Sequence, residues 1–273
     1  MTLDENTVIE RSQVNNTAYQ NHRVFELINK MKDYYDGLAE TSFSFIPNGT
    51  MTFGNYETYV YMSISSTLDS IKTLLKTGHI SDAFVLIRKL FDTILVEIYF
   101  HVMREEKYDW TKSLVVKELD EWMKGERWIP RIGEIQKVLK ESKTTKELYP
   151  WFPWDTKLKK IRDFLDNHVH ASSYRSILLN CPTICIDNRA KQLENAYSIL
   201  HQIMVFHLAF LFYLDGPYMM AYDYMDYRDC GMEPPEGSES WLASYAQEAF
   251  DVFLKPHDKF AAFIKERCVM EIK

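Results

Sequence analysis

The residues best suited to chemistry lie between Lys157 and Arg175, in the string KLKKIRDFLDNHVHASSYR. Nineteen residues there carry Lys157, Lys159, Lys160, Arg162, His168, His170 and Arg175, against only Asp163 and Asp166. The whole chain has a formal net charge of -7 and a pI near 5.7, so this stretch is a local reversal of sign. Phosphate contacts need such a reversal. A guanidinium grips phosphate through two parallel hydrogen bonds, and an imidazole exchanges a proton near neutral pH. The stretch therefore has the parts for binding a phosphodiester and moving a proton beside it. Lys157, Lys159, Lys160 and Arg175 are the candidate backbone contacts, and Arg162 and His168 the candidate reactive pair. Either His168 or His170 could fill the second role.

A second group of ionisable residues falls on a segment that is apolar on most sides. Between Ser81 and about Tyr108 a narrow polar strip holds Arg88, Lys89, Asp92, Thr93, Glu97 and His101. Arg88 and Asp92 are four apart, as are Glu97 and His101, so each pair shares a helix face. A buried carboxylate is costly unless paired. The simpler expectation is two satisfied core pairs, and the other is that Arg88 or Glu97 lines the same pocket as Arg162. His168-x-His170 with Cys181-x3-Cys185 could form a tetrahedral zinc site. That cysteine spacing is not the usual CxxC, and the working expectation is no metal and no cofactor. His207, among Met204, Leu208 and Leu211, reads as a core histidine.

These residues have to be positioned by helices. Gly and Pro together number 18 of 273, about 7% where roughly 12% is average. So few turn formers argue against a many-stranded fold, and no Gly-rich phosphate-cradling string is present. The expectation is an all-α bundle of about eight to ten helices. One β-hairpin is allowed at residues 42–53, where polar and apolar residues alternate around Asn48-Gly49. Apolar spacing marks helices over Tyr19–Glu40 and Tyr56–Lys76, with Gly78 at a C-cap position and Ser81 as the cap of the next helix. Gly231–Gly237 is the best linker, giving residues 1–230 as the main domain and 231–273 as an extension packed on the same core. Sparse cysteine and a polar N-terminal segment lead to the expectation of a reduced, cytoplasmic setting. Ile199–Leu214 is 16 residues long and interrupted by His201, Gln202 and His207, too short and too polar for a membrane span.

The string Arg162-Asp163-Phe164-Leu165-Asp166-Asn167-His168 resembles the Arg-x(4–6)-His motif of the HEPN superfamily, in which a polar residue after the Arg, here Asp163, is typical. The resemblance covers roughly residues 55–214 in outline. It implies an all-helical, metal-independent endoribonuclease, of the kind found in phage defence and toxin–antitoxin systems. Arg162 would stabilise the phosphate, and His168 would act as acid and base for attack by the ribose 2′-OH, with Asp163, His170, Glu97 and Arg88 in support. It also implies RNA as substrate, a homodimer that shares the site, and an antitoxin or other regulatory protein as partner. Some proteins of this family are catalytically silent, so the alternative is a helical module that binds RNA, a nucleotide or a partner protein.

Overall fold

The computed structural model describes residues 8–10, 14–45, 56–107, 116–152, 157–181, 184–186 and 189–273. The chain is all-α. Its elements run β1 (Val8–Glu10), α1 (Thr17–Gln20), α2 (Arg23–Phe45), α3 (Tyr56–Thr77), α4 (Ile80–Lys107), α5 (Lys117–Met123), α6 (Ile132–Glu141), α7 (Lys157–Val169) and α8 (Tyr174–Leu178). They continue with β2 (Ile184–Ile186), α9 (Arg189–Leu214), α10 (Asp223–Asp229), α11 (Ser244–Ala249) and α12 (Asp258–Arg267). The only paired strands among the described residues are β1 and β2, antiparallel with Ile9 opposite Cys185.

The hairpin expected at 42–53 is not formed at its start: α2 continues through Phe45, so residues 42–45 are helical. Ser42 and Thr41 are held inside the helix by hydroxyl bonds back to the carbonyls of Ala39 and Gly37. The local alternation is overridden by packing, since Ala39, Thr41 and Ser42 are all buried in the core. Asn48-Gly49 lies outside the described residues.

The chain divides into two compact units. The first comprises residues 1–32, 64–92 and 153–204, the second residues 33–63, 93–152 and 205–273. In the first, the apolar stripe of α2 (Val24, Leu27, Ile28, Met31) and that of α4 (Ala83, Phe84, Ile87, Leu90, Phe91) are buried. α3 ends where expected. Gly78 takes φ +80°, and the amides of Gly78 and His79 donate to the carbonyls of Leu75 and Leu74. A left-handed residue after the last turn with this bonding closes a Schellman motif, and glycine adopts it without a Cβ penalty. Ser81 does not cap α4 as expected. The helix begins at Ile80, and Asn180 supplies the cap instead, its Oδ1 accepting from the amides of Ser81 (2.9 Å) and Asp82 (3.3 Å).

In the second unit Tyr34, Tyr35 and Leu38 of α2 are buried with Ile94, Leu95 and Ile98 of α4 and Phe210 and Phe212 of α9. The aromatic loop before α7 anchors here: Trp151 lies 5.2 Å from Phe260, and Phe152 meets Phe206 and Phe260 edge-on. Gly37 allows a close approach. A Cβ built there would lie 2.7 Å from two ring carbons of Tyr245, and that ring is tethered by its hydroxyl to Thr41 at 2.8 Å. Alanine is the better helix former by about 1 kcal/mol, but overpacking costs about 1–3 kcal/mol. Gly37→Ala is therefore expected to destabilise the chain, seen as a lower urea midpoint at unchanged slope. An equal or higher midpoint would show that the Tyr245 ring can retreat.

Ala190–Leu214 is long and apolar enough to cross a membrane by length and composition, but more than half of its most apolar window is buried inside the protein. His207 within it is completely buried.

Candidate functional site

In the first unit α7 lays Leu158, Ile161 and Leu165 against the core. At 100° per residue, Arg162 and His168 fall about 60° to either side of that stripe, 120° apart. Both are half-buried. Lys157, Lys159, Lys160, Asp163, His170 and Arg175 are exposed. The helix includes His168 and stops before His170, which distinguishes the two histidines. His168 is packed and oriented, whereas His170 sits in the exposed turn.

His168 is held from α4. Its ring centroid lies 4.6 Å from that of Phe84 and 5.2 Å from that of Phe164, and Phe84 and Phe164 meet edge-on at 5.1 Å. Ser81 Oγ is 3.0 Å from His168 Nδ1. Burial lowers the pKa of the imidazole below its usual 6.5. When Nδ1–H donates to Ser81, the Nε2 lone pair remains to take a proton. The turn beyond is strained: Ala171 has φ +47°, the only non-glycine residue with positive φ among the described residues. The amides of Ala171 and Ser172 donate to the carbonyls of His168 and Asn167, so alanine occupies a place that favours glycine. Strain of this kind is concentrated at functional sites.

Folding lowers the pKa of His168, so the unfolded chain takes up a proton first as the pH falls. Its contribution to stability is complete above about pH 6.5 and is lost as the pH drops through the folded value. An NMR titration of the His168 ring is expected to show a midpoint below 6.5. A midpoint at or above 6.5 would mean that the Phe84 and Phe164 rings do not shield it.

Arg162 and His168 are not hydrogen-bonded to each other, and Arg162 Nε is buried with no hydrogen-bond partner. Asp166 does not pair with Arg162 one turn earlier. It accepts from Arg88 Nε at 2.6 Å, and Arg88 also forms the expected ion pair with Asp92. Arg88 thus braces α7 against α4 and has its charge balanced. Lys159 pairs with Asp163 at 2.6 Å, on the exposed face. Asn180 joins the site as an anchor that the sequence reading missed: besides capping α4, its Nδ2 donates to Asp82 at 2.6 Å.

The second unit encloses an acid–base network. The expected Glu97–His101 pair does not form. Glu97 Oε2 is 3.0 Å from His207 Nε2, Tyr61 donates to Glu97 Oε1 at 3.2 Å, and Tyr35 Oη is 2.7 Å from His207 Nδ1. His101 turns instead to Glu57 and Asp215, whose oxygens each lie 3.1 Å from its Nδ1. Arg104 Nη1 donates to Glu57 Oε2 at 2.7 Å and Tyr218 donates to the same oxygen at 2.9 Å. Burial alone would raise the pKa of Glu57, but Arg104 and His101 beside it outweigh burial and hold its carboxyl well below the usual range. Burial pushes Asp215 up, with Glu57 and Glu97 adding to the effect and His101 opposing it. Burial opposes charge on His101, and Asp215 and Glu57 override it, so its pKa is raised. Glu57, Arg104 and Asp215 were not singled out in the sequence. The clue available was an acid in the first turn of α3 and another just past the end of α9, each beside buried aromatic or apolar residues.

The zinc alternative rests on Cys185, whose side chain lies outside the described residues; of its other members, His168 directs its Nδ1 to Ser81 and His170 is exposed. No family model, curated protein or solved structure matches this chain.

Proposed function

We propose that the α7–α8 face of the first unit binds RNA and cleaves it without a metal, with His168 as general base and Arg162 as the phosphate-gripping cation. The observation that carries the reading is His168 itself, an imidazole kept neutral by burial, oriented through Nδ1 by Ser81 and set in the most basic stretch of the chain. A neutral imidazole can take the 2′-OH proton. The attack on phosphorus would break the P–O5′ bond, the imidazolium returning the proton to the departing oxygen, to give a 2′,3′-cyclic phosphate and a 5′-hydroxyl. Arg162 brings an unpaired Nε to the same helix. Exposed Lys157, Lys160 and Arg175 supply contacts that follow a phosphate backbone.

A second reading has its own support. Arg162 and His168 flank the buried stripe of α7 on opposite sides, about 120° apart. That arrangement suits either a site completed by a second copy of the chain or a module that binds RNA without cutting it. Incubation with structured and unstructured RNA in EDTA separates them, run beside Arg162→Ala and His168→Ala. Cleavage lost in both variants supports the catalytic reading. Cleavage unchanged by both overturns the site, and a stable complex without cleavage selects the binding module.

A further inference from the structure

We propose that Glu57, Glu97, His101 and Asp215 of the second unit bind one divalent transition-metal ion, independently of the chemistry at α7. The first observation is geometric. One oxygen each from Glu57 and Glu97 and one ring nitrogen of His101 lie within 4.8 Å of one another, all in buried side chains. The 3.1 Å from His101 Nδ1 to both Glu57 Oε1 and Asp215 Oδ1 is also the separation of two ligands held about 2.1 Å from one ion at roughly 95°.

The second observation is the crowding at one nitrogen of the His101 ring and the lack of a partner at the other. Its Nδ1 has Glu57 Oε1, Asp215 Oδ1 and Arg104 Nη2 all at 3.0–3.1 Å. A ring nitrogen carries one proton or one lone pair, so a proton shared between the two carboxylates leaves the Arg104 contact unmade. Its Nε2 is buried with no partner, in a side chain 2% exposed. A small cation among the two carboxylate oxygens and the imidazole would relieve this crowding.

The third observation is the outer shell. Glu57 gives its Oε2 to Arg104 and Tyr218, and its Oε1, which also accepts from Tyr56 at 3.1 Å, faces His101. Glu97 is held by Tyr61 and by His207, itself held by Tyr35. Ligands oriented by such partners are the rule around bound metals. Charge is compatible with an ion: with both imidazoles neutral and all three carboxylates ionised, Arg104 leaves two negative charges for a divalent ion to balance. Mixed imidazole and carboxylate donors suit Zn²⁺, Mn²⁺ or Fe²⁺.

The test strips the full chain with EDTA, equilibrates it separately with Zn²⁺, Mn²⁺ and anaerobic Fe²⁺, desalts it and measures bound metal by mass spectrometry. One ion per chain is expected for at least one of the three, with affinity at least tenfold lower in Asp215→Asn and in Glu97→Gln. No stoichiometric ion from any of the three overturns the proposal, as does unchanged affinity in both variants. Should the variants fail to fold, Mn²⁺ added to the unaltered protein decides: selective broadening of the His101 and Tyr218 NMR signals supports the site, and broadening confined to surface carboxylates overturns it.

Discussion

Arg104→Met is expected to lower the stability of the chain by about 3–5 kcal/mol at neutral pH, the cost of leaving a buried charge without its partner. Glu57 is 1% exposed, and Arg104 is its nearest cation, bound at 2.7 Å. The same guanidinium lies 3.9 Å from Asp215 and 3.0 Å from His101, so its loss strips charge from the whole network. Methionine keeps most of the apolar stem, which separates the electrostatic loss from lost packing. Lysine in its place should recover only part, because it cannot reproduce the planar fork. Arg127→Met, which breaks an exposed pair with Glu121, serves as control and should cost less than about 1 kcal/mol. Urea unfolding followed by circular dichroism measures all three. A loss below about 1 kcal/mol for Arg104→Met would mean that Glu57 finds its compensation elsewhere.

His168→Ala is expected to reduce RNA cleavage by about 10²–10⁴-fold, the usual contribution of a positioned general base. RNA affinity should change little if, as proposed, the exposed lysines and not the half-buried imidazole meet the backbone. Lys157→Ala and Lys160→Ala should do the reverse, weakening binding and lowering its salt dependence by about one ion each. The substitution also removes ring contacts with Phe84 and Phe164, so unfolding must be measured alongside cleavage. His168→Gln, which can still meet Ser81, provides the second comparison. Cleavage by His168→Gln at the unaltered rate would remove the imidazole from the chemistry.

The helical character was legible because glycine and proline are scarce and the apolar stripes of α2, α3 and α4 follow helical spacing. Gly78 as a helix stop and Arg88 with Asp92 were equally plain, since both depend on neighbours close in sequence. What stayed hidden depends on distance. Asp166 lies one turn after Arg162 in the sequence, but Arg88, 78 positions away, takes it. Glu97 and His101 read as a pair because they share a helix face. They diverge because His207 offers Glu97 a fully buried bond, while Glu57 and Asp215 surround His101. Glu57, in the first turn of α3, looks in the sequence like an ordinary acid favouring a helix N-terminus. The upstream arm of the expected hairpin is helical because α2 continues through Phe45.

The capping of α4 by Asn180 ties together two pieces of chain that are almost a hundred residues apart. The first amides of α4 can exchange with solvent only when the Asn180 side chain lets go, and that side chain sits just past α8. Fraying at the start of the longest helix and release of the segment behind the basic stretch are therefore one event, with one opening free energy. An anion that steadies the α7–α8 turn would, through that single amide group, also slow the breathing of α4.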